Sequence, residues 1–82
     1  MKARIIVRLR AGVLDPQGLT IQKALAGLGF PEVRDLRVGR LLELTLDETD
    51  RTRALTRLDD MCRRLLANPV VEDYSCEVVG ES

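Results

Sequence analysis

Residues 33–48 read VRDLRVGRLLELTLDE, a run in which apolar and polar side chains alternate. From Leu36 to Leu46 every second residue is apolar, with one exception at Arg40. The apolar positions are Leu36, Val38, Leu42, Leu44 and Leu46. Because successive side chains of a strand leave opposite faces, this run predicts one long, half-buried β-strand.

The predicted strand is long for the domain that contains it. Sixteen extended residues span about 50 Å, whereas a compact chain of 82 residues has a radius of gyration of about 12 Å. Only Gly39 within the run is suited to a bend or a bulge. The strand must therefore bend there, or run past its own domain and pair with another chain. A long open edge invites such pairing, which indicates a protein built to associate.

Two further strands and two helices are predicted around this run. Alternation predicts a first strand over residues 3–10. Asp15 is a good helix N-cap, Pro16 suits the first helical position, and Gly29 suits the C′ position. A first helix is therefore predicted between Asp15 and Gly29.

The second helix is predicted over residues 50–67, where apolar residues follow helical spacing. The residues expected to face the core are Ala54, Leu55, Leu58, Met61, Cys62, Leu65 and Leu66. Asn68 and Pro69 end this helix. A last strand follows over residues 70–79, and residues 80–82 are expected to fray.

The element order predicts a single α+β domain over residues 1–82, β-α-β-α-β, with an antiparallel-rich sheet and two helices on one face. If Gly39 turns the middle strand back, the order becomes βαββαβ, which is ferredoxin-like. If Gly39 only bulges, a three-stranded sheet carries an overhanging arm. Residues 37–40, RVGR, lack the Asn-Gly or Asp-Gly pair of a tight hairpin, which favours the long, bulged strand.

The composition limits how this domain can be stabilised. Only 2% of the residues are aromatic, Phe30 and Tyr74, so the core is thin. Two Cys and no His are too few for a structural zinc site, and no disulfide framework is present. Cys62 and Cys76 are expected to be buried free thiols. Partner chains remain as the source of added stability.

The charge and hydropathy patterns exclude several classes of protein. Thirteen basic and thirteen acidic residues give no net charge, whereas nucleic-acid binding usually requires a basic excess. No apolar run reaches the length of a membrane span. The N-terminal sequence MKARIIVRLRAG carries Arg8 and Arg10 where a signal peptide would be apolar. Reduced thiols without an export signal predict a cytoplasmic protein with neither nucleic-acid nor membrane partners.

No catalytic constellation is found in the sequence. Without His, neither a Ser-His-Asp nor a Cys-His relay can form. Gly12 and Gly18 bracket VLDPQ, but no Lys-Ser/Thr pair follows, so this is not a phosphate-binding loop. Asp15 is expected to cap a helix rather than to act as an acid or base. We therefore predict no catalytic, cofactor-binding or metal-binding residue, and a binding or scaffolding module.

Several polar residues stand out against this background. Arg37 and Arg40 flank Gly39, and they either bind an anion or a partner's carboxylate or form a solvated strand face. Arg40 and Glu72 each interrupt an apolar face, so an ion pair between them, within or across chains, is one hypothesis. Tyr74 is expected in the core with its hydroxyl at the rim.

Three stretches together resemble one known family: GVLDPQG at residues 12–18, RVGR at 37–40 and LLANPVVEDY at 65–74. In this order, and in a chain of this length, they are similar to PurS, the small subunit of phosphoribosylformylglycinamidine (FGAM) synthase in purine synthesis. The similarity covers nearly the whole chain. Family members commonly carry Lys where this chain has Arg40, which keeps the charge but changes the hydrogen-bonding geometry.

The resemblance implies a non-catalytic subunit of a glutamine-dependent ligase. The glutaminase subunit PurQ releases ammonia, and the synthetase subunit PurL uses ATP and magnesium to convert formylglycinamide ribonucleotide to FGAM. PurS is expected to bind no cofactor, to form a homodimer or homotetramer, and to dock between both enzymes, where it assists ammonia transfer. The residues given structural or partner-contact roles by this resemblance are Asp15, Pro16, Gln17, Gly18, Arg37, Gly39, Arg40, Asn68, Pro69, Glu72 and Tyr74.

Two other hypotheses are weighed against this one. The first is an ACT-like regulatory module that binds a small molecule at a dimer interface, since such modules share strand-helix-strand patterns. The second is a standalone enzyme with paired carboxylates, for which the sequence offers no convincing acid pair.

Overall fold

The computed structural model describes residues 1–80 and contains one three-stranded sheet with two α-helices. The elements in chain order are β1 (Lys2–Leu9), α1 (Pro16–Gly27), β2 (Gly39–Thr45), α2 (Arg51–Met61), a π-helical turn (Cys62–Leu66) and β3 (Glu72–Gly80). The α+β class and the β-α-β-α-β order are confirmed, and the arrangement is ferredoxin-like. Gly80 ends β3, and the rest of the predicted frayed tail, residues 81–82, lies outside the described residues.

β1 lies in the centre of the sheet, in the order β2-β1-β3, and both pairings are antiparallel. Its register with β2 runs without a break from Lys2 opposite Thr45 to Arg8 opposite Gly39. The irregularity lies in the other pairing, at the Lys2–Ala3 step of β1. The bulge predicted at Gly39 is therefore wrong, because Gly39 is the first residue of β2 and lies beside the end of β1.

The central strand is shorter than predicted, since β2 begins at Gly39 and residues 33–38 are irregular. β1 ends at Leu9, one residue past the pair of Arg8 with Gly39, so an extension of β2 beyond Val38 would have no strand beside it. The Val38 N–H instead donates to the Asp15 carboxylate, with Oδ2 at 2.7 Å. The amide of Gln22 on α1 donates to the carbonyls of residues 33 and 34. These bonds hold residues 33–38 against α1 rather than in the sheet.

α2 covers one face of the sheet and completes the core. We call α2 and the π-helical turn together the second helical segment. Ile5 and Val7 of β1, with Leu58 and Cys62 of this segment, are all 0–1% exposed. Partly buried residues from β2, the residue after it, β3 and the helical segment surround this centre: Leu42, Leu44, Leu46, Met61, Leu66, Tyr74 and Cys76. The core is thus one layer of aliphatic side chains between a helix and a sheet.

The second helical segment changes pitch at its C-terminal end, where a π-helical turn follows α2. This wider turn rotates the chain, so that Ala67 is buried and Leu65 is 83% exposed. Leu55 is also exposed, at 36%. The inward-facing set predicted from regular spacing was therefore wrong at Leu55 and Leu65, and right at Ala54, Leu58 and Cys62.

Two helices were predicted on one face of the sheet, and this is wrong for α1. Within the described residues only α2 packs extensively against a strand. α1 buries Gly18 alone and leaves Leu19, Ile21 and Leu28 exposed. We call residues 10–38 the α1 arm. The molecule measures 49 × 27 × 14 Å, and its radius of gyration of 16.2 Å exceeds the roughly 12 Å of a compact chain this long.

Leu58 is the core side chain best suited to test this packing, because it is fully buried between α2 and β1. We expect Leu58→Ala to lower the free energy of unfolding by about 2–5 kcal/mol, through lost burial and a cavity. Urea titration followed by circular dichroism measures the loss.

Leu65→Ala is the matched control, since Leu65 is 83% exposed and its truncation should change stability by at most about 0.5 kcal/mol. Equal losses for the two variants would contradict the assigned face of the helical segment.

Candidate functional site

Asp15 begins α1 and also joins that helix to the chain before β2. Its side chain accepts the Gly18 N–H, with N to Oδ1 at 2.9 Å, and the Val38 N–H, with N to Oδ2 at 2.7 Å. These two bonds, that from Val38 foremost, hold the pKa of the Asp15 carboxyl below its usual value. The predicted N-cap is confirmed, and Pro16 lies in the first turn as predicted. The side chains of Pro16 and Gln17 are exposed.

Gly18 is required by the closeness of two backbone segments. A Cβ at this position would collide with the Leu36 carbonyl oxygen and would lie 2.7 Å from Asp15 Oδ2. Neither neighbour can move cheaply, because the Leu36 oxygen belongs to the main chain and the Asp15 carboxylate holds two amides. Gly18 therefore lets residues 33–38 cross the start of α1.

Arg40 and Glu72 form the ion pair that the sequence suggested, and it lies within one chain. Arg40 Nη2 is 3.2 Å from both carboxylate oxygens of Glu72 and donates to the Leu66 carbonyl at 2.9 Å. Glu72 Oε1 also accepts the Asn68 N–H, at 2.6 Å. The Glu72 side chain is 17% exposed, against 53% for Arg40. The pair joins the start of β2, the end of the π-helical turn and the start of β3.

Asn68 and Pro69 shape the turn between the helical segment and β3. The Asn68 side-chain oxygen accepts the Val70 N–H at 3.1 Å, and its backbone carbonyl accepts the N–H groups of Val71 and Glu72. An Asx turn of this kind closes the chain on itself directly after the helix. The turn brings the Glu72 carboxylate back to the Asn68 N–H, where Arg40 also reaches it.

Arg10 connects the remaining parts of the site and was not singled out from the sequence. Its guanidinium donates to the Pro69 carbonyl at 2.6 Å and lies 3.6 Å from an Asp73 oxygen. Its carbonyl accepts from Arg37 Nη2 at 3.2 Å. Arg10 looks like one more basic residue at the end of a strand, and only the non-local contacts distinguish it. We call Arg10, Arg37, Arg40 and Glu72 the arginine corner.

The three stretches that carried the family resemblance therefore meet in space. Asp15 holds Val38, the neighbouring Arg37 reaches Arg10, and Arg10 reaches the turn at Pro69. Gly39, the next residue after Val38, lies close to the backbone of β1, since a Cβ there would lie 2.7 Å from the Val7 carbonyl oxygen. Each polar group named here has a partner inside the chain, so the arrangement fixes the shape of this end of the molecule.

Tyr74 of β3 lies at the contact between the sheet and α2. Its hydroxyl donates to Asp59 Oδ1 at 2.6 Å, which ties β3 to α2. This hydrogen bond raises the pKa of the Tyr74 hydroxyl to about 12, with burial adding to the effect. The ring packs against the core while the hydroxyl lies at its margin, as the sequence predicted.

Residues 1–80 offer neither a metal site nor a membrane-spanning helix. No group of three or more His, Cys, Asp or Glu residues there is placed to hold a metal ion. No helix among these residues has the length and apolar character to cross a membrane.

Large apolar side chains are exposed on two parts of the chain. Leu65 and Val70 are 83% and 79% exposed beside the arginine corner. Leu14 and Leu28 on the α1 arm are 71% and 74% exposed. Exposed apolar side chains that lie together on a surface are typical of a contact surface for other proteins. The arrangement can therefore present surface to partners.

Comparison with known proteins gives one family throughout. The family model described as PurS, phosphoribosylformylglycinamidine (FGAM) synthase, matches residues 2–80. The Bacillus subtilis phosphoribosylformylglycinamidine synthase subunit PurS is 44% identical over 77 residues, covering 94% of this chain and 90% of the relative. The corresponding subunit of Synechocystis is 47% identical over 77 residues, covering 94% of this chain and 77% of the relative.

Solved structures give the same result. The crystal structure of Methanocaldococcus jannaschii PurS, one of the subunits of formylglycinamide ribonucleotide amidotransferase in the purine biosynthetic pathway, superposes with a TM-score of 0.88 at 37% identity. That match covers 99% of this chain and 98% of the other. A chain in the structure of PurLQS from Thermotoga maritima has a TM-score of 0.85 at 34% identity, with 93% of each chain covered.

The crossing at Gly18 predicts opposite effects for two glycine substitutions on α1. Gly18→Ala should lower the free energy of unfolding by about 1–3 kcal/mol, because the added methyl meets a main-chain carbonyl. Gly27→Ala is the control, since a Cβ there has open space, and better helix propensity should stabilise the chain by about 0.5–1 kcal/mol. Urea unfolding of both variants measures the difference, and a Gly18→Ala protein as stable as the unmodified chain would refute the close crossing.

The ion pair of the arginine corner predicts a measurable coupling energy. In a double-mutant cycle of Arg40→Gln and Glu72→Gln we expect a coupling above about 1 kcal/mol, because a mostly buried carboxylate is left with its donors mismatched. The control cycle uses Arg4 and Glu77, a pair 3.1 Å apart with both side chains substantially exposed, where about 0.2–1 kcal/mol is expected. Urea titrations supply all the free energies. A coupling at Arg40 and Glu72 no larger than that of the control would contradict the structural role of the pair.

Proposed function

This chain belongs to the PurS family of FGAM synthase subunits, and we propose from that membership that it bridges the glutaminase and synthetase subunits of that enzyme. The enzyme as a whole converts formylglycinamide ribonucleotide and glutamine to FGAM with ATP. The chain itself is a non-catalytic subunit. The observation that carries the proposal is the match to the family model over residues 2–80, joined by the match to a chain of PurLQS.

Exposed apolar side chains on two parts of the chain support a bridging role. Leu65 and Val70 flank the turn after the helical segment, and Leu14 and Leu28 lie on the α1 arm. A molecule with its longest dimension of 49 Å can contact two larger proteins at separate places. The partners proposed are the synthetase PurL and the glutaminase PurQ, and the interfaces would shield the ammonia that passes between them.

The α1 arm supports self-association as well. Its helix buries only Gly18 within the chain, so its apolar side chains lack the cover that a core would give. β2 is an edge strand of the sheet, with β1 on one side alone. An open strand edge is a ready site for pairing with another chain. We propose a homodimer or homotetramer, in which a second copy covers these surfaces.

The proposed role also implies which subunit uses the cofactors and in which cellular compartment this chain works. ATP and magnesium are assigned to the PurL subunit, and none to this chain. Arg37 and Arg40 of the arginine corner each donate to partners within the chain, which supports a structural role for it. Cytoplasmic placement is supported by the two free cysteines.

The family membership favours this role over an ACT-like regulatory module. A relative described as a chain of PurLQS is a component of an enzyme assembly, and the match covers 93% of both chains. No observation on this chain singles out a small-molecule ligand, so the regulatory hypothesis is not carried further.

Reconstitution tests the proposal. PurL and PurQ from the same organism are mixed with ATP, magnesium, formylglycinamide ribonucleotide and glutamine, with and without this chain, and FGAM is measured. We expect formation from glutamine to depend strongly on the added chain, because ammonia transfer requires the assembled complex. With ammonium chloride as the nitrogen source, PurL alone should form FGAM whether or not the chain is present.

An unrelated small protein at equal concentration serves as the control for non-specific stabilisation. Equal glutamine-dependent rates with and without this chain would contradict the bridging role and leave the family membership as a statement about fold.

A further inference from the structure

Two free thiols face each other across the core. Cys62 Sγ, in the first residue of the π-helical turn, lies 3.7 Å from Cys76 Sγ in the middle of β3. Cys62 is fully buried, whereas Cys76 is only partly buried. These are the two cysteines of the chain. Neither has a place in the bridging role proposed above.

The geometry suits a covalent link. A disulfide has its sulfurs about 2.05 Å apart, so the two Sγ atoms must approach from 3.7 Å. The segment that carries Cys62 is the end of a helix, where a π-helical turn replaces regular α-helical bonding. Its partner is held in the sheet, opposite Ile5 of β1. The gap is closed by rotation of the two side chains or by a shift of the turn that carries Cys62.

We propose that Cys62 and Cys76 are a modification site, a dithiol that small disulfide oxidants convert to an intramolecular disulfide. The partly exposed Cys76 thiolate attacks a disulfide RSSR, forming a mixed Cys76–S–S–R bond and releasing RS⁻. The Cys62 thiolate then attacks the Cys76 sulfur and releases the second RS⁻. The two thiol protons pass to the two released thiolates, so the protein loses two electrons and RSSR is reduced to two RSH.

The environment of the pair sets the conditions for this exchange. Burial raises the pKa of the Cys62 thiol to about 12, and it also raises the pKa of Cys76. Both groups are thus protonated thiols near neutral pH, and only the thiolate attacks a disulfide. The exchange therefore proceeds slowly in neutral buffer and speeds up in alkaline buffer. Without an added oxidant the pair stays reduced.

The link would join the helix end to the sheet next to the arginine corner. Leu66, the last residue of the same turn, supplies the carbonyl that Arg40 binds. A cross-link at Cys62 restricts the opening of this turn, and it also closes a loop through the Asn68–Pro69 turn in the unfolded chain. Both effects should raise the resistance of the oxidised chain to unfolding.

The test uses the full folded chain and hydroxyethyl disulfide as the oxidant, in mildly alkaline buffer. Intact mass spectrometry after acid quenching should show a monomer lighter by two hydrogen atoms. Peptide mapping should join the peptides of Cys62 and Cys76, and dithiothreitol should restore the original mass. The oxidised form should unfold at a higher urea concentration than the reduced form.

Two variants test the order of attack. Cys62→Ala should accumulate the mixed disulfide on Cys76, because no second thiol is present to resolve it. Cys76→Ala should react far more slowly, because its remaining thiol is buried. If either variant fails to fold, the mass of the oxidised unmodified chain still decides the matter. Two free thiols after prolonged oxidation, stable mixed adducts, or disulfides only between chains would each overturn the proposal, and none of these results bears on FGAM formation.

Discussion

The rest of the structure depends on the ion pair between Arg40 and Glu72. Arg40 lies in β2 on the face that the core covers, in register with Val7, and Glu72 begins β3. A largely buried carboxylate is costly without compensation. Here it receives the Arg40 guanidinium and the Asn68 N–H together, while Arg40 also holds the Leu66 carbonyl. One pair of charges thus joins the start of β2, the end of the π-helical turn and the start of β3.

The Asp15 carboxylate plays the same part on the α1 arm. It caps α1 and at the same time takes the Val38 N–H, so the chain before β2 is held by a side chain rather than by a strand. The arm therefore has a defined path although it lies away from the core. A thin core and an ordered arm with exposed Leu14 and Leu28 are the physical basis for reading this chain as a component of a larger assembly.

Local signals in the sequence predicted much of this. The N-cap at Asp15, the core position of Leu58 and the ion pair of Arg40 with Glu72 follow from spacing, capping chemistry and breaks in apolar faces. The start of β2 at Gly39 did not follow, because it depends on where β1 stops and on Asp15, 23 positions away from the Val38 amide it binds. The π-helical turn was not predicted either, since regular helical spacing placed both Leu65 and Leu66 on the face toward the core. Arg10 carries no local signal, and its importance arises from contacts with Arg37, Pro69 and Asp73.

The role proposed for this chain is to hold two enzymes in one assembly. Native mass spectrometry of this chain mixed with PurL and PurQ, in the presence of glutamine, ATP and magnesium, is the sharpest test of that role. We expect a species that contains all three subunits, and its loss when this chain is left out. A complex of PurL with PurQ that forms equally well without this chain, or a mixture in which this chain stays free, would refute the bridging role.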